Sequence, residues 1–248
     1  MTILLFVLAV IPPVYLAKKI YDLDKIEKEP MPLIRKLFIL GAVSVAAAAL
    51  LEYIMGYALT WVSPNMFWYV LLENFLGVAL VEELCKYFVV RRCTWNDPEF
   101  DFRFDGIVYT VAASLGFAAL ENIMYVAMNG LGTAVVRALI SIPGHCIFGI
   151  YMGVYYGRAK WHEVRGEKDQ CRQDLRLAVL VPMLLHGFFD YCLSVDGVFL
   201  DNETASVAFL GIFLVYIIIL DVVTIRKVRR YAQEDDQILP FSSYPGGS

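Results

Sequence analysis

The sequence predicts an all-α fold: a polytopic membrane helix bundle of about seven transmembrane helices, N-terminus outside and C-terminus cytoplasmic. Three observations carry that expectation. The chain is 59% hydrophobic, where a soluble domain is about half apolar, and the excess is gathered in blocks long enough to span a bilayer. All but two of the Lys and Arg residues lie in alternate loops between those blocks. The ionisable residues inside the blocks are few, and Glu82, Glu83, His145 and His186 among them recur at one depth.

The first apolar run, 2–17, is short and carries Pro12-Pro13. No basic segment precedes it and no small-residue cleavage site stands before Lys18-Lys19, so it reads as a retained helix rather than a cleaved signal. Lys18, Lys19, Lys25, Lys28, Arg35 and Lys36 follow, then a second run over 35–62. The third run, 66–90, ends at Arg91-Arg92, and Arg103 adds charge to the 91–105 loop. A fourth run, 106–128, and a fifth, 131–157, are joined by an uncharged turn at 129–130. The 158–176 loop is basic (Arg158, Lys160, Arg165, Lys168, Arg172, Arg176) and leads into a sixth run, 177–195. A seventh, 204–225, is followed by Arg226, Lys227, Arg229 and Arg230. The loops at 63–65, 129–130 and 196–203 hold no Lys or Arg, and the positive-inside rule sets the orientation from that asymmetry. Residues 1–230 read as a single transmembrane domain, with 231–248 expected to be a disordered cytoplasmic tail.

Several function classes fall away at this point. Basic residues form no patch outside the membrane-flanking loops, so no nucleic-acid partner is expected. Cys85, Cys93, Cys146, Cys171 and Cys192 contain no CxxC pair, which argues against a disulfide framework or a cysteine zinc site. The lipid bilayer is the one partner that composition requires.

Within the runs stand Glu52, Glu73, Glu82, Glu83, Lys86, Glu121, Arg137, His145, His186, Asp190 and Asp221. A single carboxylate at mid-helix costs roughly 2.5–3.5 kcal/mol on insertion scales, so adjacent Glu82 and Glu83 demand a use or a partner. Successive helices form hairpins that rise about 1.5 Å per residue. Reflection about the loop centres therefore brings Glu82, Glu83, His145 and His186 into one layer near mid-bilayer, to within roughly 5 Å. Asp190 lies one turn beyond His186 on the same face. Glu121 maps roughly 10 Å outward, close to Arg137, so it reads equally as half of a buried ion pair or as a catalytic group. Lys86, one turn after Glu82, reads as a counter-ion that leaves one carboxylate as base and its neighbour as acid.

Such a layer supports hydrolysis by two routes. A glutamate deprotonates water while a histidine or acid steadies the oxyanion and protonates the leaving amine, with no cofactor required. Alternatively, the histidines and carboxylates hold one divalent metal such as zinc. The residue types suit both. HExxH and GxSxG are absent, which removes the best-known zinc-protease helix and the nucleophile elbow. A proton- or ion-coupled transporter using the same carboxylates is the competing class, and a catalytically silent partner for membrane helices is a third.

Four motifs in order, EELCK at 82–86, FAALE at 117–121, His145 within SIPGHCIFGIYMGVYYGRAK, and HGFFD at 186–190, resemble the PrsW family of intramembrane proteases. FDGIVY at 104–109, SLGFAALENI at 114–123 and VRALI at 136–140 are similar to the same family, as is the double-glutamate helix to the wider group of CAAX prenyl endopeptidases. The resemblance runs from about residue 80 to 192. It implies a multi-pass protease of the bacterial cytoplasmic membrane that makes the first, site-1 cut in a single-pass anti-sigma factor. It also implies that Glu82, Glu83, Glu121 and His186 act in catalysis with His145 and Asp190 as partners, supported by Lys86 and Arg137.

Overall fold

In the computed structural model, residues 2–194 and 203–238 are described. Their helices are α1 (Thr2–Leu23), α2 (Met31–Val62), α3 (Met66–Leu72), a π-helical segment (Glu73–Ala79), α4 (Leu80–Thr94), α5 (Asp105–Asn129), α6 (Leu131–Leu139), α7 (Ser141–Val164), α8 (Lys168–Ser194) and α9 (Glu203–Gln233). Because α3, the π segment and α4 form one continuous rod, and α6 leads directly into α7, the expected seven rods are present. Five stretches (α2, α5, α6 with α7, α8 and α9) are long and apolar enough to cross a membrane.

The all-α bundle follows from the sequence, but several boundaries move. The first helix continues through Pro12-Pro13 to Leu23 and takes in Lys18-Lys19. The fifth run is not one helix: the backbone breaks at Ile140 (φ −122°, ψ −61°), between a separate α6 and α7. Gly130, at φ +81°, ends α5 and begins α6, a left-handed conformation that glycine adopts without steric cost. The seventh helix runs past the expected 225 to Gln233, and residues 234–238 continue as an ordered strap. There Ile238 donates its N–H to Asp101 O at 2.6 Å, Phe104 N–H meets Asp235 Oδ1 at 2.9 Å, and Ile238 is buried. The first part of the expected tail is thus docked on the 91–105 loop. The expected loop at 196–203 falls almost wholly, and the tail after 238 wholly, outside the described residues.

The central helix is α5. Its apolar window is 78% buried, against 22% for α2 and 17% for α9, so α5 is wrapped by other helices while α2 and α9 turn Ile39, Val43, Leu50, Val215, Ile218 and Ile219 outward. Lipid is as apolar as these side chains, and helices in it associate through close packing rather than hydrophobic burial. Small residues supply that closeness here. A Cβ on Gly116 of α5 would lie 1.9 Å from Phe38 O of α2, and one on Gly153 of α7 would lie 2.4 Å from the Cα of Ile107. Backbone therefore sits directly on backbone at both crossings.

Around the end of the bundle that carries the basic loops, the largest apolar core joins Leu37, Val90, Trp95, Phe100, Phe104, Ile107, Met152 and Tyr156. Phe100 stacks on Tyr156 with ring centres 5.2 Å apart. This packed plug lies toward one end of the bundle, and the polar residues around Glu82 and Glu83 lie toward the other.

Candidate active site

The rod that carries the two glutamates is not a uniform α-helix. Its π segment ends where Leu80 N–H bonds Phe75 O, two residues before Glu82. Insertions of this kind occur mostly at functional sites, since they reset the direction of the side chains that follow. α8 crosses the π segment so closely that a Cβ on Gly187 would lie 2.6 Å from Phe75. Gly187 thereby lets the preceding residue, His186, reach Glu83.

Lys86 is the hub. Its ammonium donates to Glu82 Oε2 at 2.9 Å and Glu83 Oε1 at 2.8 Å, reaches His145 Nδ1 at 3.1 Å, and rests on the Phe117 ring at 4.4 Å. The side chain is wholly buried. A buried ammonium is tolerated only when its charge and its donors are met, and here three partners meet them. Since Lys86 donates to Nδ1, His145 carries its proton on Nε2 and donates to Glu121 Oε2 at 2.9 Å. Glu121 Oε2 also pairs with Arg137 at 3.0 Å.

His186 stands between two carboxylates, with Nδ1 3.0 Å from Glu83 Oε1 and Nε2 3.1 Å from Asp190 Oδ2. The imidazolium satisfies both contacts, since only that form donates from both nitrogens. Phe148 stacks on the ring at 4.7 Å and holds its plane. The two imidazole centres are 5.3 Å apart. All eight site residues expected from the sequence therefore meet in one network.

One expectation is corrected. Glu121 is not removed from the layer by 10 Å: it both pairs with Arg137 and bonds His145, so its alternative readings are joined rather than opposed. The depth estimate assumed a straight hairpin about 129–130, and the break at Ile140 shifts α7 relative to α5. Glu52 and Glu73, also ionisable residues within the apolar runs, line the same cavity as the network.

That cavity, about 650 Å³, runs from Glu82, His145 and His186 to Met128 and Ser194, at the ends of α5 and α8 remote from the basic loops. In the opposite direction the apolar plug begins. Glu82 lines the cavity while Glu83 does not, and Glu83 is 0% exposed. The adjacent glutamates thus differ in position: one faces the void, the other faces Lys86 and His186.

Supporting residues were not foreseen. Ser114 donates to His145 O at 2.7 Å. Asn122 accepts from Arg137 Nε at 3.1 Å and donates to Ala9 O at 3.0 Å, tying Arg137 to α1. Phe148 follows His145 by three positions, a spacing that shares a helix face; Asn122 is marked in the sequence only by its place next to Glu121.

Glu82, His145 and His186 also offer donor atoms within 4.8 Å of one another. Two imidazoles and a carboxylate are a donor set that suits a divalent cation such as zinc. Among the described residues, Glu82, Glu83, Glu121 and Asp190 are four carboxylates facing Lys86, Arg137 and the His186 imidazolium, and Glu83 Oε2 is buried without a hydrogen-bond partner. Each imidazole nitrogen is already hydrogen-bonded, so a cation would compete with Lys86 and the flanking carboxylates for them.

Residues 29–221 match the family model described as PrsW family intramembrane metalloprotease. The chain is 39% identical over 183 residues to Protease PrsW of Oceanobacillus iheyensis, covering 74% of this chain and 80% of that protein. It is 33% identical over 184 residues to Protease PrsW of Bacillus subtilis, covering 74% and 79%. With Protease PrsW of Clostridioides difficile it shares 32% identity over 238 residues, 94% of each chain. No solved structure matches the chain.

Proposed function

Because the chain belongs to the PrsW family of intramembrane proteases, we propose that it makes the first, site-1 cut in a single-pass anti-sigma factor of the bacterial cytoplasmic membrane, using water activated in the Glu82–His145–His186 cavity. The observation that carries this reading is the junction of that trio with a cavity that extends away from the basic loops. With those loops cytoplasmic, a substrate helix would be cut in the outer half of the membrane or just beyond it.

The proposed roles follow from position. Glu82 faces the cavity and is the carboxylate placed to meet water or to ligate a cation. Glu83, sealed behind it, orients His186 and shares the Lys86 charge. His186, held as an imidazolium between Glu83 and Asp190, is the proton donor for the departing amine. His145 presents one nitrogen to Lys86 and the other to Glu121, so Glu121 and Arg137 fix its tautomer from the outer side. If a divalent cation is bound, Glu82, His145 and His186 would hold it, and it would supply Lewis-acid polarisation of the carbonyl and easier deprotonation of water.

The test is cleavage of a co-expressed single-pass substrate. Glu83→Gln and His186→Ala are each expected to lower cleavage by at least about 100-fold, the scale of general acid–base catalysis, while the protein stays in the membrane. Unchanged cleavage in both variants would sink the proposal. Bound-metal analysis with and without a strong chelator separates the two hydrolytic routes: activity that survives chelation in metal-free protein supports the glutamate–water route.

A further inference from the structure

A second polar cluster lies at the other end of the bundle, on the side of the basic loops, and takes no part in the network around Lys86. Asp24 follows the end of α1, Glu29 precedes the start of α2, and Asp105 opens α5. Each offers a carboxylate oxygen, and these oxygens lie within 4.8 Å of one another. Asp24 and Glu29 are 3% exposed and Asp105 is 2% exposed.

Neighbouring groups account for part of this cluster. Tyr109 donates its hydroxyl to Glu29 Oε2, and the Glu29 and Asp105 carboxyls share a hydrogen bond. Asp105 Oδ2 accepts the backbone N–H groups of Asp101 at 3.1 Å and Phe102 at 2.6 Å. The Asp24 carboxylate accepts the backbone N–H groups of Ile26 and Glu27, while its Oδ2 is buried and has no hydrogen-bond partner. Among the described residues no Lys, Arg or His forms an ion pair with any of the three carboxylates. Lys25 and Lys28 adjoin Asp24 and Glu29 in sequence; Lys28 donates to the backbone carbonyls of Tyr21 and Asp24 and acts on the Asp24 carboxylate without bonding it, and Arg103 is paired with Asp236. Buried Asp101, together with Asp235 on the docked strap, adds further negative charge nearby. Buried carboxylates without a counter-charge are very costly.

We propose that Asp24, Glu29 and Asp105 form a binding site for a hard divalent cation, Ca²⁺ or Mg²⁺, that clamps the α1–α2 connection to the start of α5. The donor set is all oxygen, which selects these ions over zinc, in contrast to the imidazole-bearing trio in the cavity. The orphaned Asp24 oxygen is the specific vacancy in the hydrogen-bonding pattern that such an ion fills. The role is structural: α5 carries Glu121 and Asn122 at its far end, and the clamp fixes its near end against the turn between α1 and α2.

The test uses the purified full-length protein, stripped with a chelator and titrated separately with Ca²⁺ and with Mg²⁺, reading bound metal and thermal unfolding. One equivalent of one of these ions is expected to bind per chain and raise the unfolding temperature, since an ion that binds only the folded state stabilises it. Asp24→Asn removes a charge but no hydrogen bond of Oδ2, so it is expected to fold and to bind at least tenfold more weakly. His186→Ala is expected to leave this binding unchanged. Failure of both ions to bind up to about 1 mM, the weak end of protein calcium sites, would overturn the proposal in favour of carboxyls that share protons. Binding lost in His186→Ala and retained in Asp24→Asn would overturn it equally, by assigning the ion to the cavity trio.

Discussion

Lys86 is the residue on which the site's electrostatics turn. It hydrogen-bonds Glu82, Glu83 and His145 together, and without it two adjacent buried carboxylates would be left with the His186 imidazolium as their one near cation among the described residues. Breaking a buried pair by removing one partner costs about 3–5 kcal/mol. Lys86→Met is therefore expected to lower the unfolding temperature in detergent sharply, and adding Glu83→Gln is expected to recover part of the loss by removing one stranded charge. Equal stability of Lys86→Met and the parent protein would show that the pairing contributes nothing. Spacing alone foretold the Lys86–Glu82 contact, because residues four apart share a helix face. It did not foretell the bond to His145, which lies 59 positions away.

Among the elements, the crossings of α5 matter most. Gly116 has no room for a side chain against Phe38 of α2, whereas a Cβ on Gly132 of α6 would meet nothing within 4 Å. Gly116→Val is expected to force α2 and α5 apart, destabilise the bundle by more than about 2 kcal/mol and reduce activity by displacing Glu121. Gly132→Ala is expected to be neutral or stabilising by up to about 1 kcal/mol, the difference in helix propensity. Thermal unfolding of the two variants side by side checks the contrast. The helices themselves were legible as apolar runs. The π segment, the break at Ile140 and the strap at 234–238 were not, because each depends on what a neighbouring helix or loop presents rather than on local hydropathy. The Ile140 break is also what allowed Glu121 to join a layer from which straight-helix geometry had set it apart.

At the scale of the whole molecule, the bundle has its largest apolar core toward one end, with the Asp24, Glu29 and Asp105 cluster beside it, and the cavity with its acids toward the other. A transporter that carries ions through the carboxylate layer would need a polar route to both faces; here the plug of Phe100, Phe104, Met152 and Tyr156 occupies one of them. The expected orientation makes the plugged end cytoplasmic. A cysteine introduced at Gly166 should then react with a membrane-impermeant thiol reagent only after the cells are opened, and one at Gly130 should react in intact cells. The reverse pattern would invert the topology and move the cavity mouth to the cytoplasmic side.

The sequence by itself determined that the chain is a multi-helix membrane protein and that Glu82, Glu83, His145 and His186 share a depth. It could do so because the cost of charge in lipid and the bias of basic loops act along the chain, one helix at a time. Which nitrogen meets which carboxylate, the recruitment of Glu121, and the gathering of Asp24, Glu29 and Asp105 were decided only by tertiary structure. Those contacts are set over an ångström or two by helix breaks and glycine crossings, and an apolar run of given length is compatible with many such arrangements.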